Sequence, residues 1–518
     1  MHDDDSSQAW SRRRFLQLSV AGAALSAAPA LAQDAAARPL ITSGVQAGDV
    51  EVDRAVVWCR TDRPARLRVR YATTDAMLGA RERVSTPTSA EADFTARLDL
   101  TGLPPGQRIV YEARFEGRGG ELSEPVRGAF RTPPRTAAPV RVVWGGDVCG
   151  QGWGIDEAHG GMKSFASMRA VEPDLFIHSG DLIYADGPIA ETVTLDTGGT
   201  WRNLVSDGVG DVAQTLDQFR GRYRYNFRDA HLRAFNAEVP IVAQWDDHEV
   251  LNNWYPTEIL GAAGNEARYS EKQVSVLAAR AKQAFFDYTP IRADRRDPRQ
   301  VYRVVRRGPL ADVFVLDCRS YRGPNSPNLQ AQAGPETAML GATQRAWLEE
   351  ALARSSATWK IVACDQPLGL VVPDTPLQEG FANDDPRTLG REHEVAALLT
   401  AMKRRGVRNV VFVTADVHYA AAHLYDPAKA TYTDFDPFWE FIAGPLHAGT
   451  ARSAAKLDAT FGPQAMFTSP LATTDGSPAA GLQFFGQVAI DPTTRAATVT
   501  LHDRDGKVLY TKVLEPAA

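Results

Sequence analysis

The chain has 518 residues, 44% of them hydrophobic and 23% charged, proportions that exclude a disordered chain and a multi-span membrane protein. At roughly 150 residues per domain it accommodates two or three domains. Its 57 basic and 63 acidic side chains are interspersed and give a formal net charge of -6. No basic stripe is therefore available to neutralise a nucleic-acid backbone, and nucleic-acid binding is not expected.

In chain order, Ser11, Arg12, Arg13, Arg14, Phe15 and Leu16 come first, ahead of an uncharged, Ala-rich apolar run that closes at Ala30, Leu31 and Ala32. Basic, apolar and small-residue regions in that order predict an export signal over 1–32 rather than a structural helix. Paired arginines followed by Phe-Leu resemble the twin-arginine signals that direct export of folded proteins. That resemblance implies the twin-arginine machinery as a partner and a periplasmic or secreted location. No later stretch reaches the roughly 18 apolar residues of a spanning helix, so the mature protein is expected to carry no integral membrane segment.

From 39 to 132, short runs rich in β-branched residues (Ala55 to Trp58, Leu67 to Tyr71, Phe94 to Leu98, Arg108 to Phe115) are punctuated by Gly and Pro and predict a small β-sandwich domain. The Pro-rich stretch Thr132 to Pro139 reads as a linker, because it resists both helix and sheet. Over 140–515 apolar strands alternate with amphipathic helices, which is the pattern of an α/β domain. Helices are predicted at Arg391 to Lys403, where Val395, Leu398, Leu399 and Met402 share a face, and at Thr343 to Arg354, with Trp347, Leu348, Ala351 and Leu352. Phe484 to Ile490, Ala497 to Leu501 and Val508 to Val513 read as a terminal meander with a turn at Asp505-Gly506. Cys59, Cys149, Cys318 and Cys364 stand far apart and form no zinc knuckle. An oxidising compartment permits disulfides between them, while Cys59, Cys318 and Cys364 read as small buried hydrophobes.

Strand after strand in this α/β region ends in a carboxylate: Asp147, Asp181, Asp246 with Asp247, Asp317, Asp365, and Asp416. Carboxyl ends of strands are where α/β sheets bind ligands. Asp317 and Asp365 stand alone and read as turn or helix-capping residues. The others bring a second donor: Gly180-Asp181-Leu182-Ile183-Tyr184, Trp245-Asp246-Asp247-His248-Glu249, and Asp416-Val417-His418-Tyr419. Converging carboxylates repel in a low-dielectric site unless cations neutralise them, which points to multivalent metal.

These motifs resemble those of the calcineurin-like metallophosphoesterase superfamily and, within it, the PhoD-type alkaline phosphatases and phosphodiesterases. The resemblance implies a two-sheet sandwich flanked by helices, carrying a small N-terminal β-sandwich, and an exported hydrolase acting on phosphate esters. It implies that Asp181 bridges two metals, that Tyr184 ligates the more oxidised one, that Asp247 and His418 are ligands, and that Asp416 lies in the same shell or just behind it. A phenolate favours ferric iron and oxygen-rich surroundings suit calcium, so the cofactors implied are iron and calcium. Two departures matter. Some relatives place a Cys at the first strand end, where Asp147 stands here as the preferred ligand, with Cys149 two residues on as the alternative. Asp247 replaces the Asn of the wider superfamily and adds negative charge.

Two such cations, about 3.5 to 4 Å apart, would clamp phosphate oxygens and lower the pKa of a water that attacks in line. His248 is the candidate general acid for the leaving oxygen, against a structural reading in which it orders its loop. The arginines of Arg220 to Arg224 could grip phosphate, although such runs are more often a solvated helix face. His447 and His423 could be outer-shell or substrate contacts but read more readily as buried, satisfied histidines, and Phe438, Trp439 and Phe441 as core. Competing functions are a phospholipase-type diesterase of the same fold and a non-catalytic exported calcium-binding module. Tyr184 and His418 speak against the module, since structural calcium sites rarely use imidazole.

Overall fold

The computed structural model describes residues 38–517 apart from 295, 375, 474 and 475. The export signal read over 1–32 lies outside the described residues.

Six short apolar strands carry the architecture. Val140–Gly145, Leu175–Ser179 and Ile241–Gln244 run parallel in a nine-stranded sheet. Ala311–Val315, Trp359–Ala363 and Val410–Thr414 run parallel in a seven-stranded sheet, followed by Phe438–Ile442. Each of the six stops two residues before an aspartate: Asp147, Asp181, Asp246, Asp317, Asp365 and Asp416. They are buried almost throughout, as parallel strands covered on both faces must be.

The two sheets pack face to face around Trp144, Ile177, Val242, Val313, Ile361, Val413 and Phe441. Helices Lys163–Ala170, Leu216–Asn226, Ala230–Glu238 and Val274–Tyr288 cover the far side of the larger sheet through Phe165, Phe219, Phe235 and Phe285. Helices Gly341–Arg354 and Glu392–Arg404 cover the smaller sheet through Leu348, Leu352, Val395 and Leu399. The result is the expected α/β class, two sheets sandwiched between helices. Periodicity placed both of the latter helices to within two residues, because the face it detects is the buried one. Among the described residues no helix is long and apolar enough to cross a membrane.

At the N-terminal side, strands Arg81–Pro87, Arg66–Ala72, Arg108–Glu116 and Val126–Arg131 form a sheet that packs on Ile41–Gly48, Arg54–Thr61 and Thr95–Thr101 around Val57, Leu67, Val69, Tyr111 and Phe115. The second of these layers is not a separate sheet. Ile41–Gly48 pairs parallel with Ile241–Gln244 through Gly48 and Ile241, so the large sheet runs on into the N-terminal sandwich. At the other edge Phe484–Ile490, Ala497–Asp503 and Val508–Leu514 form the antiparallel meander read from the sequence. Its turn puts Gly506 at a φ of 87°, which a side chain would resist.

Candidate metal centre

The carboxyl ends of the two sets of parallel strands meet at one place. The chain turns sharply as it leaves three of these strands, with Asp147 at φ 68°, Asp181 at 52°, Asp416 at 71° and His418 at 57°. Asp and His are among the few residues with side chains that enter this left-handed region with any frequency, and such positions cluster at functional sites.

Three groups of donor atoms, each within 4.8 Å, share members: Asp147, Asp181 and His418; Asp181, Asp247 and His248; and Asp246, Asp247 and Asp416. Asp181 and Asp247 link one group to the next. Tyr184 joins the first, its Oη 2.8 Å from His418 Nε2, and its ring stacks on His248 with centroids 4.0 Å apart. His418 Nδ1 donates to Gly449 O, and Gly449 N in turn donates to Gln151 Oε1 at 2.8 Å, so Nε2 faces Tyr184 and Asp147. The structure thus brings together Asp147, Asp181, Tyr184, Asp247, His248, Asp416 and His418. Cys149 is not among them, for it is buried in the apolar cluster beneath the helices and its backbone N–H donates to His447 O at 2.7 Å.

Several neighbours gave no signal of their own. Glu249 accepts backbone N–H groups from Asp181, Leu182 and Asp246 at 3.2, 2.6 and 2.7 Å and so ties two of the loops together. Asp186 receives His248 Nδ1 at 2.7 Å and Asn252 N at 2.9 Å. Arg319 Nε donates to Asp246 Oδ1 at 2.6 Å. Glu249 sits inside an acidic motif and Asp186 two residues beyond one, but nothing in sequence pairs Asp186 with His248; Arg319 is a lone arginine in sequence.

The lone aspartates divide. Asp317 is a turn residue, its Oδ1 accepting from Arg319 N, Ser320 N and Trp245 Nε1. Asp365 caps nothing: both oxygens are buried without a partner, beside Cys318 and Cys364. Nor is Arg220 to Arg224 a solvated face. Arg220 pairs with Asp287 at 2.6 Å, Arg222 donates to the carbonyls of Gly187 and Asp211, and Arg224 pairs with Asp93 at 2.7 Å. The helix turns these cations inward, Arg220 and Arg224 to carboxylates from elsewhere in the chain and Arg222 to backbone carbonyls. His447 Nε2 rests 2.9 Å from Gly154 O and His423 lies beside Glu440, both buried as expected.

Electrostatics distinguish the cluster from ordinary turns. Burial, then Asp247, Asp246, Glu249 and Asp147, push the Asp181 carboxyl well above its usual range. Burial and neighbouring carboxylates do the same to Asp416, with Glu379 and Asp247 the main neighbours, and to Asp246 despite Arg319. Burial alone would lower His248, but Asp186 and Asp247 outweigh it and push the imidazole up to about 9. Asp147 Oδ2, Asp246 Oδ2 and Asp416 Oδ2 are buried with no protein partner. Buried carboxylate oxygens without donors need a proton or a cation, and three together, beside imidazole and phenol, form a donor set that fits metal ions.

Comparison with known proteins bears on the same stretch. The sequence model of the family described as PhoD-like phosphatase matches residues 142–501, and that of the PhoD-like phosphatase N-terminal domain matches 26–134. Alkaline phosphatase D of Bacillus subtilis (strain 168) is 29% identical over 367 residues, 69% of this chain and 58% of that protein's length. A solved structure of PhoD superposes with a TM-score of 0.67 at 20% identity, over 92% of both chains. Purple acid phosphatase PPD1 from yellow lupin (Lupinus luteus) seeds superposes with a TM-score of 0.57 at 14% identity, over 92% of this chain and 74% of its own. The fold is shared with both structures, and the family match runs from the first strand of the site into the meander behind it: this chain belongs to the PhoD-like phosphatase family.

Proposed function

We propose that the protein is an exported, metal-dependent phosphoric ester hydrolase. The observation that carries the reading is the convergence of Asp147, Asp181, Tyr184, Asp247, Asp416 and His418 on one place with three unpartnered carboxylate oxygens. Family membership and the phosphatases named above support it. Asp147, Asp181, Tyr184 and His418 would hold one cation, and their phenol and imidazole suit ferric iron; Asp246, Asp247 and Asp416 offer oxygen only and suit calcium. Bound there, such ions polarise phosphate oxygens and make water a nucleophile near neutral pH.

The chain's own residues complete the site. Glu249 holds the loops of Asp181 and Asp246 in fixed relation, and Gly449, itself held by Gln151 Oε1, sets the His418 ring. His248 is the general acid: the Asp186 carboxylate occupies Nδ1 and leaves Nε2 to give a proton to the departing ester oxygen. Beside the cluster a cavity of about 460 Å³ is lined by Gln151, Trp153, Asp416, His418 and Arg452, with room for the substituent of an ester.

Export follows from the twin-arginine-like leader over 1–32, and the division into an N-terminal domain over 39–132 and a catalytic domain over 140–515 follows from the Pro-rich stretch between them. The test is hydrolysis of aryl phosphate mono- and diesters, side by side, by the purified protein supplied with iron and calcium. Turnover supports the reading and its ratio separates phosphatase from diesterase. No turnover by metal-loaded protein would leave a calcium-binding module instead.

A further inference from the structure

Arg319 is fully buried, four residues beyond the strand Ala311–Val315. Its loop is fixed before its side chain begins. Asp317 Oδ1 accepts Arg319 N at 3.2 Å and Trp245 Nε1 at 2.9 Å, which ties the loop to the strand end that carries Asp246. Gln344 grips the Asp317 backbone from the helix Gly341–Arg354, accepting its N–H and donating to its carbonyl, both at 2.8 Å.

The guanidinium is hydrogen-bonded through Nε and lies in ion contact through Nη1. On one side Nε donates to Asp246 Oδ1 at 2.6 Å and Nη2 lies 3.9 Å from Asp247 Oδ1. On the other Nη1 is in ion contact with Glu379 Oε1, and Glu379 is in turn held by Arg322 at 2.8 Å and by Gln366. With Oδ1 of Asp246 engaged by Arg319, Oδ2 is buried without a partner, and Asp246 forms a donor group with Asp247 and Asp416. The planar fork therefore selects which oxygen Asp246 offers and in what direction.

We propose that Arg319 is a positioning residue that presents Asp246 Oδ2 to a cation held with Asp247 and Asp416; this rests on the metal-dependent function proposed above. Two consequences of removing Arg319 have opposite signs, which makes the role measurable. A fixed positive charge beside a cation site weakens binding by repulsion, so if charge balance were its only effect, neutralising Arg319 would tighten binding. If it orients a ligand, both Arg319→Gln and Arg319→Lys weaken binding, because lysine keeps the charge but lacks the fork that spans Asp246 and Glu379.

The experiment is calorimetric titration of the metal-stripped full-length protein with calcium alone, for wild type, Arg319→Lys and Arg319→Gln, with far-UV circular dichroism and the metal-free Tm as folding controls. Loss of a partner behind a ligand raises Kd by about 10- to 100-fold, and that rise is expected in both variants. Tighter calcium binding by Arg319→Gln, or wild-type affinity in Arg319→Lys, would overturn the proposal. A lower metal-free Tm with unchanged Kd would also overturn it, marking the arginine as fold support only. No calcium binding by the wild type would sink the metal reading itself, separately from the role of Arg319.

Discussion

At the residue scale the centre is organised around Asp181, which belongs to two donor groups and whose carboxyl is pushed up by burial and by four neighbouring carboxylates. Asp181→Asn is expected to bring ester hydrolysis to background. Because a buried acid with a raised pKa makes the fold less stable as pH rises past its ordinary range, the same substitution should raise the metal-free Tm at neutral pH. Residual turnover close to wild type would sink its linking role. His248 is bonded to Asp186 and stacked on Tyr184, which fixes both ring orientation and free nitrogen. His248→Ala should slow a poor leaving group by about 100- to 10,000-fold and a good one far less, since only the former needs a proton. Asp186→Asn should follow part of the way, and equal losses on both substrates would show that His248 merely orders its loop. These local motifs were readable because each carries its donors within a few residues. The partners were not: Arg319 lies 73 residues from Asp246, and Asp186 lies 62 from His248.

At the scale of elements, the helix Glu392–Arg404 shows how a packed face imports a polar problem. Val395, Leu398, Leu399 and Met402 bury its apolar face as their spacing requires, and this draws Glu392 fully inside with them. There its carboxyl meets Asn383 Nδ2 at 3.0 Å and Thr460 Oγ1 at 3.2 Å, and burial followed by Asp458 pushes it up to about 9. Native protein thus keeps a proton that unfolded chain releases, so stability is fullest below the unfolded pKa near 4.5 and is lost as pH rises through about 9. Glu392→Gln should flatten the fall in Tm between roughly pH 6 and pH 9; an unaltered slope would mean that Glu392 is ionised in the fold. The helix itself was legible from its period, whereas the pairing of Glu392 with Asp458 was not, because it depends on how a distant loop folds back.

On the scale of the whole molecule, the N-terminal strands act as more than an appendage. Ile41–Gly48 closes the edge of Ile241–Gln244, Trp58 packs on Phe227 and Tyr288, and Trp58 Nε1 donates to Asp287 O at 2.7 Å. Asp93, paired with Arg60 at 2.8 Å on its own side, receives Arg224 across the same seam at 2.7 Å. A chain beginning at residue 140 would expose that strand edge and an aromatic cluster. It should therefore be recovered aggregated or with a markedly lower Tm than a chain beginning at residue 38; equal stability of the two would show that the seam contributes little.

The sequence by itself determined the strands, the helices with a clear apolar face, the terminal meander and the residues able to bind metal, because all of these rest on local periodicity or on donors close together in the chain. Only tertiary structure decided that the large sheet continues into the N-terminal sandwich, that Asp147 rather than Cys149 faces the other donors, and that the arginines of Leu216–Asn226 turn inward. The first is a pairing of backbone strands far apart in the chain, and the other two turn on which distant group meets a side chain. A buried charge needs a polar partner, a carboxylate for Arg220 and Arg224 and backbone carbonyls for Arg222, and another part of the fold supplies it.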